Sequence, residues 1–431
     1  MRAIAIAIVL AGAGLSSAAA QTFAIQADTV IVDPAAPARG ASTIIVEKGK
    51  ILRIEPGRTA PSGATVVDLG RSTLLPGLID THVHLTVDAT IPRAQSLTTK
   101  YSESYFATLG LRNALTTARA GFTTVRDLGG PMEASIAVRS ALREGSFAGP
   151  RLLIAGEALS IIGGHGDHSI GFAPEIADAI REATPQIGVC TGPEECARSV
   201  RTIAARGADV IKMMATGGVL DDGAIGLGQH FSDEEMSAIV RTAHGLGLKV
   251  AAHAHGAGGI GAAARAGVDS IEHGTFANAS DIAIMKAKGA YYVPTLMTFS
   301  GLQRYMGKGI YGPNTEAKAK IALAEWGTGL NRAYRAGVPI AFGTDAAVFP
   351  HGENGREFAL MVDKGGMTPR DALIAATTNA AKLLNLSAEI GSLEPGKAAD
   401  IIAVDGDPLT DPAALTRVRW VMTQGRVLPM Q

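Results

Sequence analysis

Eight short apolar runs, spaced at helical distance, constrain this chain more than any other feature. They are GLIDTHVH (77–84), TTVRDL (123–128), RLLIAG (151–156), DVIKMM (209–214), KVAAHAH (249–255), SIEHG (270–274), YYVPTL (291–296) and PIAFGTD (339–345). Short, continuous apolar runs suit strands buried on both faces. Most are separated by Ala-rich, charge-bearing segments of helical period, such as SDEEMSAIVRTAHGLG. Ser232 followed by Glu235 has the capping-box pattern that opens such a helix. Strands alternating with helices imply a parallel sheet. Eight such units are the count of a (β/α)8 TIM barrel, predicted here over residues 76–390.

The two ends of the chain read differently. Residues 22–75 alternate Val- and Ile-rich runs with Gly and Pro turns, and ADIIAVDGDP and RVRWVMTQGRVL near the C-terminus do the same. We expect a small β-sandwich domain built from both termini, 21–75 with 391–431. Residues 1–20 have a basic start at Arg2, a short apolar run and a small-residue stretch ending at Ala20, the order of a signal peptide. The run is too short to span a bilayer comfortably. The expected location is therefore exported, periplasmic or secreted, with no membrane contact after signal removal. Export means an oxidising compartment. Cys190 and Cys196 flank a Gly192–Pro193 turn, which permits a disulfide without establishing one. Formal net charge is −1, from 39 basic and 40 acidic residues, which argues against nucleic acid as a partner.

Metal-ligand types sit where the runs end. In barrels the C-terminal strand ends form the active-site face. His82 and His84, at period two, point to one side of a strand and form a chelating pair. Lys212 interrupts an otherwise apolar strand; it either reaches solvent at the rim or is a neutral, reacted amine. His253 and His273 end successive runs, and Asp345 ends the last one, where a carboxylate can bind metal and take a proton. His255 shares a face with His253, so periodicity leaves the choice between them open.

With its flanking text, this set resembles the amidohydrolase superfamily of the binuclear metal type. The matching segments include LLPGLIDTHVHL, GFTTVRDLGG, IKMMATGG, VAAHAHG, DSIEHGT and GSLEPGKAADIIAVDGDP, covering about residues 25–425. Within the superfamily it is similar to the Xaa-Pro dipeptidase and metallo-carboxypeptidase group, which includes ochratoxin-hydrolysing amidases. The resemblance implies His82, His84, Lys212, His253, His273 and Asp345 as metal ligands. It implies two divalent ions, with Zn2+ favoured, and Lys212 carboxylated by CO2. Asp345 becomes the catalytic proton carrier, and His255 becomes substrate-facing. A homo-oligomer is also implied, with an octamer as one form. The expected reaction is hydrolysis of an N-acyl amino acid or dipeptide with release of a C-terminal amino acid. Ochratoxin A, an aryl amide of phenylalanine, fits that description.

Further substrate contacts are expected from His165 and His168 in GGHGDHS and from His230 in GQHFS, against loop hydrogen bonding as the alternative. Arg126 and Asp127 read as a pair near the barrel mouth. The G-x-G-x-x-G of Gly256, Gly258 and Gly261 follows a metal-type histidine and lacks a dinucleotide context, so strand-to-helix packing explains it better. A lactonase or a carbamate or cyclic-amide hydrolase would use the same centre. A mononuclear deaminase would instead need an acid soon after His253, and residues 254–261 contain none.

Overall fold

The computed structural model describes residues 21–88, 101–183, 186–221 and 226–430; the expected signal segment 1–20 lies outside these. The chain begins with six strands: β1 (Thr22–Ala27), β2 (Thr29–Val30), β3 (Ser42–Glu47), β4 (Lys50–Pro56), β5 (Thr65–Asp68) and β6 (Thr73–Pro76). The β3–β4 hairpin turns at Lys48–Gly49, both at positive φ (52° and 76°), the conformation that matches strand twist in a tight hairpin.

Seven strands follow in the central region: β7 (Leu78–Val83), β8 (Phe122–Asp127), β9 (Arg151–Ile154), β10 (Val210–Met214), β11 (Lys249–Ala254), β12 (Ser270–His273) and β13 (Tyr291–Val293). Three more close the chain: β14 (Ile401–Val404), β15 (Val418–Thr423) and β16 (Arg426–Val427).

The terminal strands form two sheets, ordered β4-β3-β1-β5 and β16-β15-β14-β6-β2. The second mixes the two ends of the chain, because β14 pairs antiparallel with β6. Ile25, Ile44 and Val46 from the first sheet and Leu74, Ile401 and Met422 from the second share one buried cluster. Neither terminal segment can bury its apolar face without the other.

In the centre, β7-β8-β9 and β10-β11-β12-β13 are parallel. Parallel bridges join what the sheets leave apart: Leu159 to Met213, Tyr292 to Ile340, and Val83 to Ala346. The eighth apolar run therefore lies between β13 and β7, but it forms only a bridge near each end. Asp345 and Ala347 have φ of 61° and 133°, which breaks the extended backbone. Gly343 permits the close approach, since a Cβ there would lie 2.4 Å from Val293 Cγ1 and 2.9 Å from His82 Cβ.

The helix Asp233–Gly245 carries the expected capping box: Ser232 Oγ accepts from the Glu235 N–H, and Glu235 Oε2 accepts from the Ser232 N–H. The glycine motif after β11 serves packing at two positions. A Cβ on Gly256 would lie 2.2 Å from Leu227 O, and one on Gly261 would lie 2.6 Å from Asp281 Oδ1. Cys190 and Cys196 are joined as a disulfide. Among the described residues, no helix is long and apolar enough to cross a membrane.

Candidate metal centre

The C-terminal ends of the central strands bring the predicted ligands together. His82 lies in β7 and His84 just beyond it, with ring centroids 5.3 Å apart, while Val83 between them is buried in the core. Each ring has its Nδ1 engaged behind it. His82 Nδ1 is 2.9 Å from Glu272 Oε2, and His84 Nδ1 is 2.9 Å from Gly129 O. Both Nε2 atoms then converge on Asp345 Oδ1, at 3.5 Å and 3.2 Å. An outward Nδ1 partner that leaves Nε2 free is how proteins orient an imidazole for a metal.

Across the cavity, His273 Nδ1 is 2.7 Å from Thr295 Oγ1, and His255 Nδ1 is 2.8 Å from Thr275 Oγ1. The His253 ring lies 4.6 Å from that of His273 and 4.7 Å from that of His255. Two trios result, His82–His84–Asp345 and His253–His255–His273, each with ligand atoms within 4.8 Å of one another. Geometry gives His255 the same reach as His253, so the ambiguity of the HAH spacing persists in three dimensions. Lys212 is 1% exposed and lines the same cavity. His273 and Asp345 both have left-handed backbone (φ 71° and 61°), strain of the kind that surrounding structure must hold in place at functional sites.

Electrostatics suit cations. Burial pushes His82 down to about 4 and His255 down to about 3, and it takes His253 and His273 well below the ordinary imidazole value. These four rings are therefore neutral at pH 7, the form an imidazole ligand takes. Burial also lowers the Lys212 amine to about 8. Burial alone would raise Asp345, but His82 and His84 outweigh it and hold the carboxyl well below its usual range. Burial would lower His84 too, but its bond to the Asp345 carboxylate raises it above the ordinary imidazole value. Four neutral imidazoles, an anion-paired fifth, an ionised carboxylate and a partly neutral amine around one space form a donor set that fits divalent ions.

Three further acids support this centre. Glu272 is fully buried and accepts from His82, from the Ser270 hydroxyl and from Arg126 Nη2 at 3.0 Å. Burial would raise its carboxyl, but Arg126 and then His82 bring it down to about 2. Asp80 accepts from the N–H groups of His82 and Thr344, the Thr344 hydroxyl and the Asn354 amide, tying β7 to the eighth run. Asp127 accepts from the N–H groups of Leu85 and Gly129. Arg126 and Asp127 are thus not a pair: the guanidinium enters the core to Glu272 and Thr81 O, while the carboxylate braces the turns beyond β7 and β8. Alternation along a strand sends adjacent side chains to opposite faces, a signal that spoke against pairing them.

The cavity has a volume of about 530 Å³. His165, His168 and His255 line it, as do apolar residues including Phe106, Met214, Phe299 and Leu302. His165 Nδ1 is 2.7 Å from Asp221 Oδ2. His168 is exposed, at the mouth. His230 is not among the lining residues. Its ring lies behind the loops, where a Cβ on Gly164 would come 3.0 Å from Nδ1 and one on Gly217 would come 3.2 Å from Nε2. His244 bonds Asp269 at 2.8 Å on the outside.

The model of the Amidohydrolase family matches residues 73–428. Ochratoxinase of Aspergillus niger is 35% identical over 372 residues, covering 80% of this chain and 74% of that protein. A crystal structure of a Xaa-Pro dipeptidase with methionine bound in the active site superposes with a TM-score of 0.87 at 36% identity, over 94% of this chain and 99% of that one. The crystal structure of A. niger ochratoxinase superposes with a TM-score of 0.83 at 29% identity, over 95% of each chain.

Proposed function

The chain belongs to the amidohydrolase family, and from that premise we propose that it is a two-metal hydrolase releasing a C-terminal amino acid from N-acyl amino acids or dipeptides. That it hydrolyses amide bonds follows from the family and its relatives. The observation that carries the finer reading is the convergence of His82, His84, Lys212, His253, His273 and Asp345 on one cavity. We take the central strands to close into a (β/α)8 barrel over 76–390, with 21–75 and 391–431 as a β-sandwich. The bridges on both sides of the eighth run support that closure.

His82, His84 and Asp345 would hold one divalent ion and His253 and His273 a second, with Lys212 as a CO2 adduct supplying a further anionic ligand; the imidazole-rich set favours zinc. Bound there, the metal supplies Lewis acidity toward the scissile carbonyl and an activated water. Asp345 takes the proton of the attacking water on a carboxylate oxygen and passes it to the leaving nitrogen. The partly neutral Lys212 amine is the form that can add CO2. His165, His168 and His255 face the substrate, and Phe106, Phe299 and Leu302 give an apolar or aromatic acyl group its place. Ochratoxin A, which would yield phenylalanine, has that shape. Export is part of the proposal: the order of residues 1–20 and the Cys190–Cys196 bridge support an oxidising compartment.

The test is hydrolysis by zinc-loaded protein across N-acyl amino acids, X-Pro dipeptides and ochratoxin A. Release of a free C-terminal amino acid, abolished by chelator, is expected. No release across the whole panel would refute the substrate class.

A further inference from the structure

One buried carboxylate behind the cavity lining, next to Val219 and Leu220, takes no part in the proposed metal centre. Asp221, 5% exposed, lies in the loop after β10. Its Oδ2 accepts from His165 Nδ1 at 2.7 Å and from the Gly218 N–H at 2.8 Å. Its Oδ1 is 2.7 Å from Lys318 Nζ, on the helix Pro313–Ala324. Lys318 also donates to Gly218 O at 2.7 Å and to Asp221 O, which takes a second bond from the Thr315 hydroxyl. One helix thus clamps the 218–221 turn, and the turn's carboxylate clamps His165. The ring is further confined by His253, 4.4 Å away between centroids, and by the Gly218 α-carbon, where a Cβ would come within 2.2 Å of it.

Burial would raise the Asp221 carboxyl, but His165 and Lys318 outweigh that and keep it ionised. An ionised carboxylate is an acceptor only. It therefore holds Nδ1 as the donor in either protonation state of the ring, and Nε2 is the nitrogen left for the cavity.

We propose that Asp221 is a positioning residue, braced by Lys318, that presents His165 Nε2 to the substrate. The inference rests on the amide-hydrolase reading above, in which His165 faces the substrate. It differs from the metal centre in its consequences, since the hydrogen bonds described for Asp221 and Lys318 go to His165, to each other, and to Gly218 and Thr315.

The experiment is a double-mutant cycle on the zinc-loaded enzyme with D221A, H165A and the pair, read by kcat and KM, metal content and 15N NMR of His165. D221A is expected to lower kcat/KM on the order of 10- to 100-fold, as a displaced contact does, with metal content unchanged. In the H165A background, D221A should add nothing. The NMR should show His165 as the Nδ1–H form in the parent and as a tautomer mixture in D221A. Additive losses, or an unchanged tautomer, would overturn the proposal. Should D221A fail to fold, the same cycle and spectrum are taken with D221N, which keeps the volume but not the charge. Because the tautomer is read without turnover, failure of the amide-hydrolase reading stays separate: the parent enzyme would then be inactive while the spectrum still reported on Asp221.

Discussion

Glu272→Gln should damage both stability and metal binding, although Glu272 touches no substrate. The carboxylate is fully buried, holds His82 Nδ1 at 2.9 Å and neutralises Arg126, itself 1% exposed, at 3.0 Å. Glutamine keeps the volume but removes the charge, stranding a guanidinium whose Nη1 has no hydrogen-bond partner among the described residues. Removing one member of a buried pair costs about 3–5 kcal/mol. Loss of the bond that orients His82 should separately weaken metal binding by about 10- to 100-fold. The assays are denaturant unfolding of metal-free protein and a chelator-competition titration of the folded protein. The double variant E272Q/R126M distinguishes the two effects. It should recover most of the stability, because no charge is left unpaired, but not the metal affinity, because His82 still lacks its anionic partner. An E272Q protein as stable as the parent, or one with parental metal affinity, would refute this reasoning.

Other outcomes follow from the same structure. D345N removes a proposed ligand as well as the proposed proton carrier, so it should lower metal content and also lose activity on the order of 10²- to 10⁴-fold or more, the range of general acid–base catalysis; an elemental assay beside turnover checks this. Glu357 is buried, and burial holds its carboxyl well above the ordinary value despite N–H bonds from Leu296 and Met297. Since the folded state keeps that proton longer, stability should fall as pH rises above the unfolded carboxyl value of about 4.3. E357Q should flatten the fall, read from melting temperatures at pH 5 and pH 8, and an unchanged slope would count against the assignment. Removing the disulfide with C190A/C196A should cost about 2 kcal/mol of unfolding free energy for so short a loop, with metal content unaltered.

The residues that share the cavity were legible because strand ends announce themselves: an apolar run that stops at His or Asp puts that residue at a mouth. His82, His253, His273 and Asp345 came from that rule and Lys212 from its interruption of an apolar strand, and all five line the cavity. What supports them was harder to read. Glu272 sits beside His273, but its partners Arg126 and His82 are 146 and 190 residues away. The Asp221–Lys318 contact spans 97 residues, between segments with no shared pattern. Adjacency suggested a bond between Arg126 and Asp127, although strand alternation already separated their faces. The eighth run read as a strand from its apolar content, yet its strained residues at 345 and 347 leave it only bridges. His230 shows the limit of loop reading: GQHFS suggested a substrate contact, whereas the ring packs close to Gly164 and Gly217 and is not among the residues that line the cavity.

The most direct test is to count metal ions per folded chain by elemental analysis while amide hydrolysis is followed through chelation and zinc return. This account predicts two ions per chain, loss of amino-acid release as they are stripped, and recovery as both are restored. Full hydrolysis by metal-free protein would contradict it.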